Sequence, residues 1–118
     1  MAKDAGPERT PLVFFRTASG NEPVREWLKG LPKVERQAIG LDLMRAQWRW
    51  PVGMPLCRAM GGGLWEIRTD LPSGRTARVF LGFYQNRLIA LHGFIKKTRA
   101  TPADELGLAR RRKKELEQ

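Results

Sequence analysis

Arg78, His92, Lys96 and Lys97 fall within one stretch, Arg75 to Thr98, that reads RTARVFLGFYQNRLIALHGFIKKT. An arginine guanidinium presents a planar fork of N–H donors and can hold two phosphate oxygens at once. Histidine is the side chain whose unperturbed pKa suits proton transfer near neutrality. Lysines add positive charge. Such a set could bind a phosphodiester, stabilise negative charge developing on it and move a proton. Arg68, in LWEIRT at 64–69, and Arg58 extend the set. Each also has a plainer role open to it. Arg78 can pair with Glu66 on the neighbouring strand, and Arg68, on the same face as Glu66, can form a cross-strand salt bridge. His92 can be hydrogen-bonded within an apolar strand, and the two lysines can form a solvated strand end.

The elements that must position these residues are strands. In Thr76 to Tyr84 the odd positions Ala77, Val79, Leu81 and Phe83 are apolar. In Arg87 to Lys96 the odd positions Ile89, Leu91 and Ile95 are apolar, with Gln85-Asn86 as the turn between. Period-two alternation gives a strand pair two different faces. Val79, Leu81, Phe83, Ile89 and Leu91 form the expected helix-facing side, and Arg78, Tyr84, His92 and Lys96 the working side. Lys96 shares parity with His92, while Lys97 falls on the opposite face. Only a bulge or twist brings both lysines to one side, and Gly93 is its expected place.

Upstream, Pro11 to Arg16 reads as a first strand, after a flexible tail over residues 1–10. Asn21 is the expected N-cap of a short helix with Val24, Trp27, Leu28 and Leu31 on one face. A second helix, Lys33 to Trp48, has an apolar stripe of Val34, Ala38, Leu41 and Trp48, supported by Leu43 and Met44, which is expected to be core. Short strands follow around Leu56 to Arg58 and over Leu64 to Thr69, separated by Gly61-Gly62-Gly63. DLPSG then connects to the strand pair. A last helix begins near Thr101, its expected N-cap. Its face of Leu106, Ala109 and Leu116 is thin, so light docking or exposure is expected. Its cations Arg110, Arg111, Arg112, Lys113 and Lys114 suit a phosphate-contacting arm, or equally the negative end of the helix dipole.

Composition narrows the partner. Twenty-two Lys and Arg against twelve Asp and Glu give a formal charge of +10 on 118 residues, with a pI near 10.9. That excess favours a polyanion, usually nucleic acid. One cysteine, Cys57, and one histidine leave neither an internal disulfide nor a conventional metal site, so no metal or other cofactor is expected. No apolar run approaches membrane-spanning length, and the N-terminus has no signal-peptide character, so a cytoplasmic location is expected.

Several segments match a known pattern together: PVREWL at 23–28, GGLWEIR at 62–68, ARVF at 77–80, and LHGFIKKT at 91–98 followed by TP at 101–102. The combination resembles the HigB-like, phage-related branch of the RelE/ParE toxin superfamily, over residues 11–116. The resemblance implies a single α+β domain over 11–118 with a small RelE-like fold: two N-terminal helices on a mostly antiparallel twisted sheet, plus a basic C-terminal helix. It implies the toxin of a type II toxin–antitoxin system, a ribosome-dependent mRNA endoribonuclease that inhibits translation without a metal. Its partners would be mRNA, the ribosome with its rRNA, and a cognate antitoxin of helix-turn-helix type. The alternatives are a ParE-like gyrase inhibitor and a non-enzymatic, antitoxin-bound co-repressor.

The resemblance also implies roles. Arg78 lies in the strand where these toxins carry a phosphate-stabilising arginine. Lys96 and Lys97 stand at the strand end where they carry basic active-site residues, and His92 lies inside the LHGF run. Arg68 joins these as a catalytic candidate. Arg58, Tyr84 and the cations of 110–114 are the RNA-binding candidates. Leu81-Gly82 departs from the aromatic pattern expected after Arg78-Val79-Phe80, which counts against base stacking on this strand; Tyr84 can stack on a base, donate its hydroxyl, or cap a core with Phe80 and Phe94.

Overall fold

The computed structural model describes residues 9–51, 53–54, 56–97 and 102–118. Three helices and a five-stranded mixed sheet follow the order β1 (Leu12–Phe14), α1 (Pro23–Lys29), α2 (Lys33–Arg49), β2 (Cys57–Gly61), β3 (Leu64–Asp70), β4 (Thr76–Tyr84), β5 (Arg87–Lys96) and α3 (Ala103–Leu116). The strand order across the sheet is β1-β5-β4-β3-β2. β1 runs parallel to β5, and the other neighbours are antiparallel. Most of the expected tail, and Thr101 as the expected N-cap of α3, lie outside the described residues.

The local chemistry accounts for the turns. Gln85 and Asn86 both take positive φ, 52° and 62°. That is the two-residue hairpin geometry whose twist matches the flanking strands. Asn21 is not the cap of α1. It closes a loop with Thr17, donating its N–H to Thr17 Oγ1 at 3.1 Å. The helix starts with Pro23 at its first position, after Glu22.

Two cores lie on opposite faces of the sheet. On one, Val24 and Leu28 of α1 and Ile39, Leu43 and Ala46 of α2 pack on Ile67, Ala77, Val79, Leu81, Leu88 and Ala90. On the other, Ala109 of α3 packs with Leu64, Phe80, Ile89, Leu91 and Phe94. The expectation for β5 is therefore half corrected. Ile89 and Leu91 face α3, while Leu88 and Ala90 face α1 and α2. The cause is a bulge. Phe80 pairs with His92, but Leu81 pairs with Ala90, so Leu91 is the extra residue. Gly93 is not where the ladder breaks. It sits under the Trp27 indole, so closely that a Cβ there would lie 2.4 Å from Trp27 Cζ3.

The helices correct two further expectations. Of the stripe of α2 expected in the core, Leu43 is buried and Ala38 packs partly buried against the core, but Val34, Leu41, Met44 and Trp48 are exposed. The buried positions are Glu35, Ile39, Leu43 and Ala46. The helix carries apolar residues on both sides, so periodicity alone does not choose between them. Glu35 enters the interior because Arg75 Nη2 donates to its Oε1 at 2.6 Å. That bond holds the Glu35 carboxyl below its ordinary pKa. The docking of α3 is firmer than its thin apolar face suggests. Arg112 Nη1 donates to the carbonyl of Leu91 at 2.8 Å, and its guanidinium lies 5.8 Å from the Phe15 ring centre. A bulge interrupts the ladder and leaves backbone groups for other partners. Arg112 takes one of them.

Candidate functional site

The cleft of chemical interest opens on the α3-side face of the sheet, where α3 does not reach. Register builds it. Arg58 of β2 stands opposite Glu66 of β3, Arg68 of β3 opposite Arg78 of β4, and Lys96 of β5 opposite Thr76 of β4. Met54, Arg58, Glu66, Arg68, Arg78 and Lys96 line a cleft of about 190 Å³. Four cations and one carboxylate thus converge on one small space, which favours an anionic occupant.

Arg78 is the fixed point. Its Nη1 donates to Glu66 Oε1 at 2.8 Å, with side-chain exposures of 9% and 1%. The two residues are diagonal neighbours across β3 and β4, a separation that long side chains bridge. Arg78 Nε has no hydrogen-bond partner among the described residues. A buried guanidinium donor without an acceptor is costly, and an oxygen ligand would relieve it. Glu66 was the plainer partner open to Arg78, and the pair forms. It also fixes the orientation of the guanidinium at the cleft.

Lys96 completes the arrangement. Desolvation lowers its pKa first, and the nearby Arg78 charge lowers it further, opposed by Glu66. Its ammonium gives up a proton more readily than an ordinary lysine. Arg68 is exposed at the rim and pairs with Asp70, Nε to Oδ1 at 3.3 Å, rather than with Glu66. Arg58 is exposed beside it. Lys97 lies one residue past β5, exposed and outside the cleft lining.

His92 is not brought to the cleft. Its Nε2 lies 2.6 Å from Glu105 Oε1 of α3. Its ring stacks on Phe80 and Phe94, at centroid distances of 6.5 and 5.7 Å. It holds α3 to the sheet. Tyr84, at the far end of β4, packs against the α3-side core. The basic segment of α3 divides in two. Arg110 donates to the carbonyls of Met60 and Gly61 at 3.0 and 3.2 Å, Arg112 serves the bulge, and Lys113 pairs with Glu117. Arg111 and Lys114 are exposed.

Sequence reasoning missed Met54 on the cleft wall, because nothing in a loop pattern signals where its side chain goes. It also missed Asp42, Arg45 and Arg49 of α2, which share an open groove with Leu56, Arg68 and Asp70. Among the described residues no group of three or more His, Cys, Asp or Glu is placed to hold a metal ion.

The model of the phage-derived Gp49-like family (DUF891) matches residues 26–114, more than half of the chain. The chain belongs to this family. The Gp49-like family is toxin-like, in the RelE/HigB class. The matched span runs from within α1 through β5 and into α3, so every residue lining the cleft lies inside it. No curated protein matches the chain. Among the described residues no helix is long and apolar enough to cross a membrane.

Proposed function

We propose that this chain is the toxin of a type II toxin–antitoxin pair, and that it cuts mRNA on the ribosome without a metal ion. The observation that supports this most is the Arg78 guanidinium, anchored by Glu66 beside Lys96 and with a buried Nε–H that has no partner among the described residues.

RNA is cut without metal when its 2′-hydroxyl attacks the adjacent phosphate and the 5′-oxygen leaves. In this reading the phosphate enters the cleft and Arg78 stabilises the charge that builds on its oxygens. Lys96, with its lowered pKa, protonates the departing 5′-oxygen, and the 2′-hydroxyl proton passes to solvent water. Glu66 keeps Arg78 aimed. Arg58 and Arg68 hold neighbouring phosphates, which adds salt-sensitive affinity and little sequence information. Arg111 and Lys114 extend that charge toward rRNA. A helix-turn-helix antitoxin neutralises the protein in the cytoplasm. The HigB-like branch within the class fits the LHGFIKKT run.

Primer extension on total mRNA after induction tests this. New 5′ ends inside translated codons are expected with the wild type. Arg78→Lys, which keeps the charge paired to Glu66, should lower their appearance by roughly 100-fold or more, the usual effect of removing a positioned transition-state donor. Growth arrest with intact mRNA and an SOS response would overturn the ribonuclease reading in favour of gyrase inhibition.

A further inference from the structure

The outward face of α2 carries Val34, Leu41, Met44 and Trp48, each between 46% and 59% exposed. At 100° per residue they lie in one stripe about 180° away from Ile39, Leu43 and Ala46, the residues that face the sheet. Their separations of seven, three and four residues are the seam spacing of a helix that packs against another helix. The stripe is roughly 21 Å long, about four turns. Gln37 interrupts the row between Val34 and Leu41; exposed apolar residues of this size on one helix face are characteristic of an interaction surface.

The edges of the stripe choose the occupant. Lys33 lies on one side, and Arg45 and Arg49 on the other. Among the described residues Asp42 pairs with Arg45, Nη1 to Oδ1 at 2.9 Å, and leaves Lys33 and Arg49 to set the charge of the rim. A second copy would bring the same excess of cations to the same rim, in a chain already at +10. A bilayer takes a broad apolar face rather than a single seam. We infer that α2 docks an acidic amphipathic helix of another protein. The helix has apolar side chains at alternating three- and four-residue spacing, with Glu or Asp at the flanking positions. Gly40, beside the seam, leaves open space where a Cβ would stand, so the incoming backbone can approach there. The cleft lies on the other face of the sheet and meets this surface at its rim, where Arg45 and Arg49 share a groove with Arg68; docking on α2 does not rest on the ribonuclease reading.

The test uses two labelled synthetic peptides of about 21 residues with identical leucine seams, one flanked by Glu and one by Lys. Binding to the full-length protein is measured by fluorescence anisotropy at 150 mM salt. The Glu peptide should bind at least about tenfold tighter than the Lys peptide, the combined effect of a few helix-surface ion pairs gained against like-charge contacts. Leu41→Asp with Met44→Asp should abolish binding while the melting temperature holds, because both side chains are exposed. Equal binding of the two peptides, or binding of neither, would overturn the proposal. So would a concentration-dependent dimer in sedimentation equilibrium that the double variant dissociates, since it would make a second copy the occupant. Co-sedimentation of wild type, but not the variant, with anionic vesicles would make the occupant a membrane instead.

Discussion

Arg78 Nη1 and Glu66 Oε1 meet at 2.8 Å beneath the cleft, one strand apart and almost wholly closed off from water. Their charges depend on each other. Neither could be buried alone at neutral pH without a large desolvation penalty.

Breaking the pair from either side should therefore be far worse than removing it. Glu66→Ala leaves the Arg78 charge without its partner and is expected to lower stability by about 3 kcal/mol or more. Replacing both, Glu66→Leu with Arg78→Met, should restore most of that loss. Urea denaturation of the two single variants and the double variant gives the coupling directly. Additive losses would show that the pair is not a unit.

Lys96 carries a pH signature. Its pKa is lowered below the ordinary 10.5 by desolvation and by Arg78. For a lysine this means that the charged form is disfavoured by folding. The resulting destabilisation is full at pH below the folded-state pKa, and it fades as pH rises from there toward 10.5. Lys96→Met should then be at least as stable as wild type at pH 7. In wild type the cleavage rate should fall as pH rises through the lowered pKa, as expected for a proton donor. Lys96→Arg, which stays charged, should remove that limb of the profile along with most of the rate. A Lys96→Met variant that cleaves at the wild-type rate would exclude the residue from proton transfer.

Gly93 and Trp27 make a paired prediction. A Cβ at 93 would stand 2.4 Å from Trp27 Cζ3 and 2.5 Å from Cε3. Gly93→Ala should destabilise the fold by about 1–3 kcal/mol through overpacking. Trp27→Leu should be milder in the Gly93→Ala background than in wild type, because the smaller side chain admits the methyl. Thermal melts of the four proteins check it.

Arg112 ties α3 to the sheet through the Leu91 carbonyl and the Phe15 ring. Arg112→Ala is expected to lower stability by about 1–3 kcal/mol, the consequence of leaving a partly buried carbonyl without its charged donor. Amide hydrogen exchange should quicken in α3 and around Leu91, with α1 and α2 little changed. Uniform exchange across the chain would contradict a local tether.

The strands were legible because their chemistry is local. Alternation marked β3, β4 and β5, and Gln85-Asn86 marked the turn between the last two. Parity grouped Arg78 with Lys96, and that grouping held because the bulge at Leu91 comes before His92 and Lys96. What was illegible depended on three-dimensional choices. The stripe on α2 was visible, but the apolar side opposite it was the one that met the sheet, with Glu35 carried inside by Arg75, forty residues away in sequence. The cations of α3 read as solvated or RNA-facing. Arg110 and Arg112 instead satisfy backbone carbonyls, a use of charge for packing that composition does not distinguish from exposure. His92 stood in the right run of residues and on the right face, but Glu105 of α3 claims it.

The bulge at Leu91 has a consequence for how this strand tolerates changes in length. Before it, the positions directed at α1 and α2 are even-numbered, Leu88 and Ala90; after it they are odd-numbered, Gly93 and Ile95. Removing Leu91 would close the ladder and leave Lys96 in the cleft. Removing a residue between Gly93 and Ile95 would turn Lys96 toward Trp27 and the apolar interior. Leu91 is thus a position in β5 where a residue can be lost, and the ladder made regular, without changing which side of the sheet Lys96 occupies.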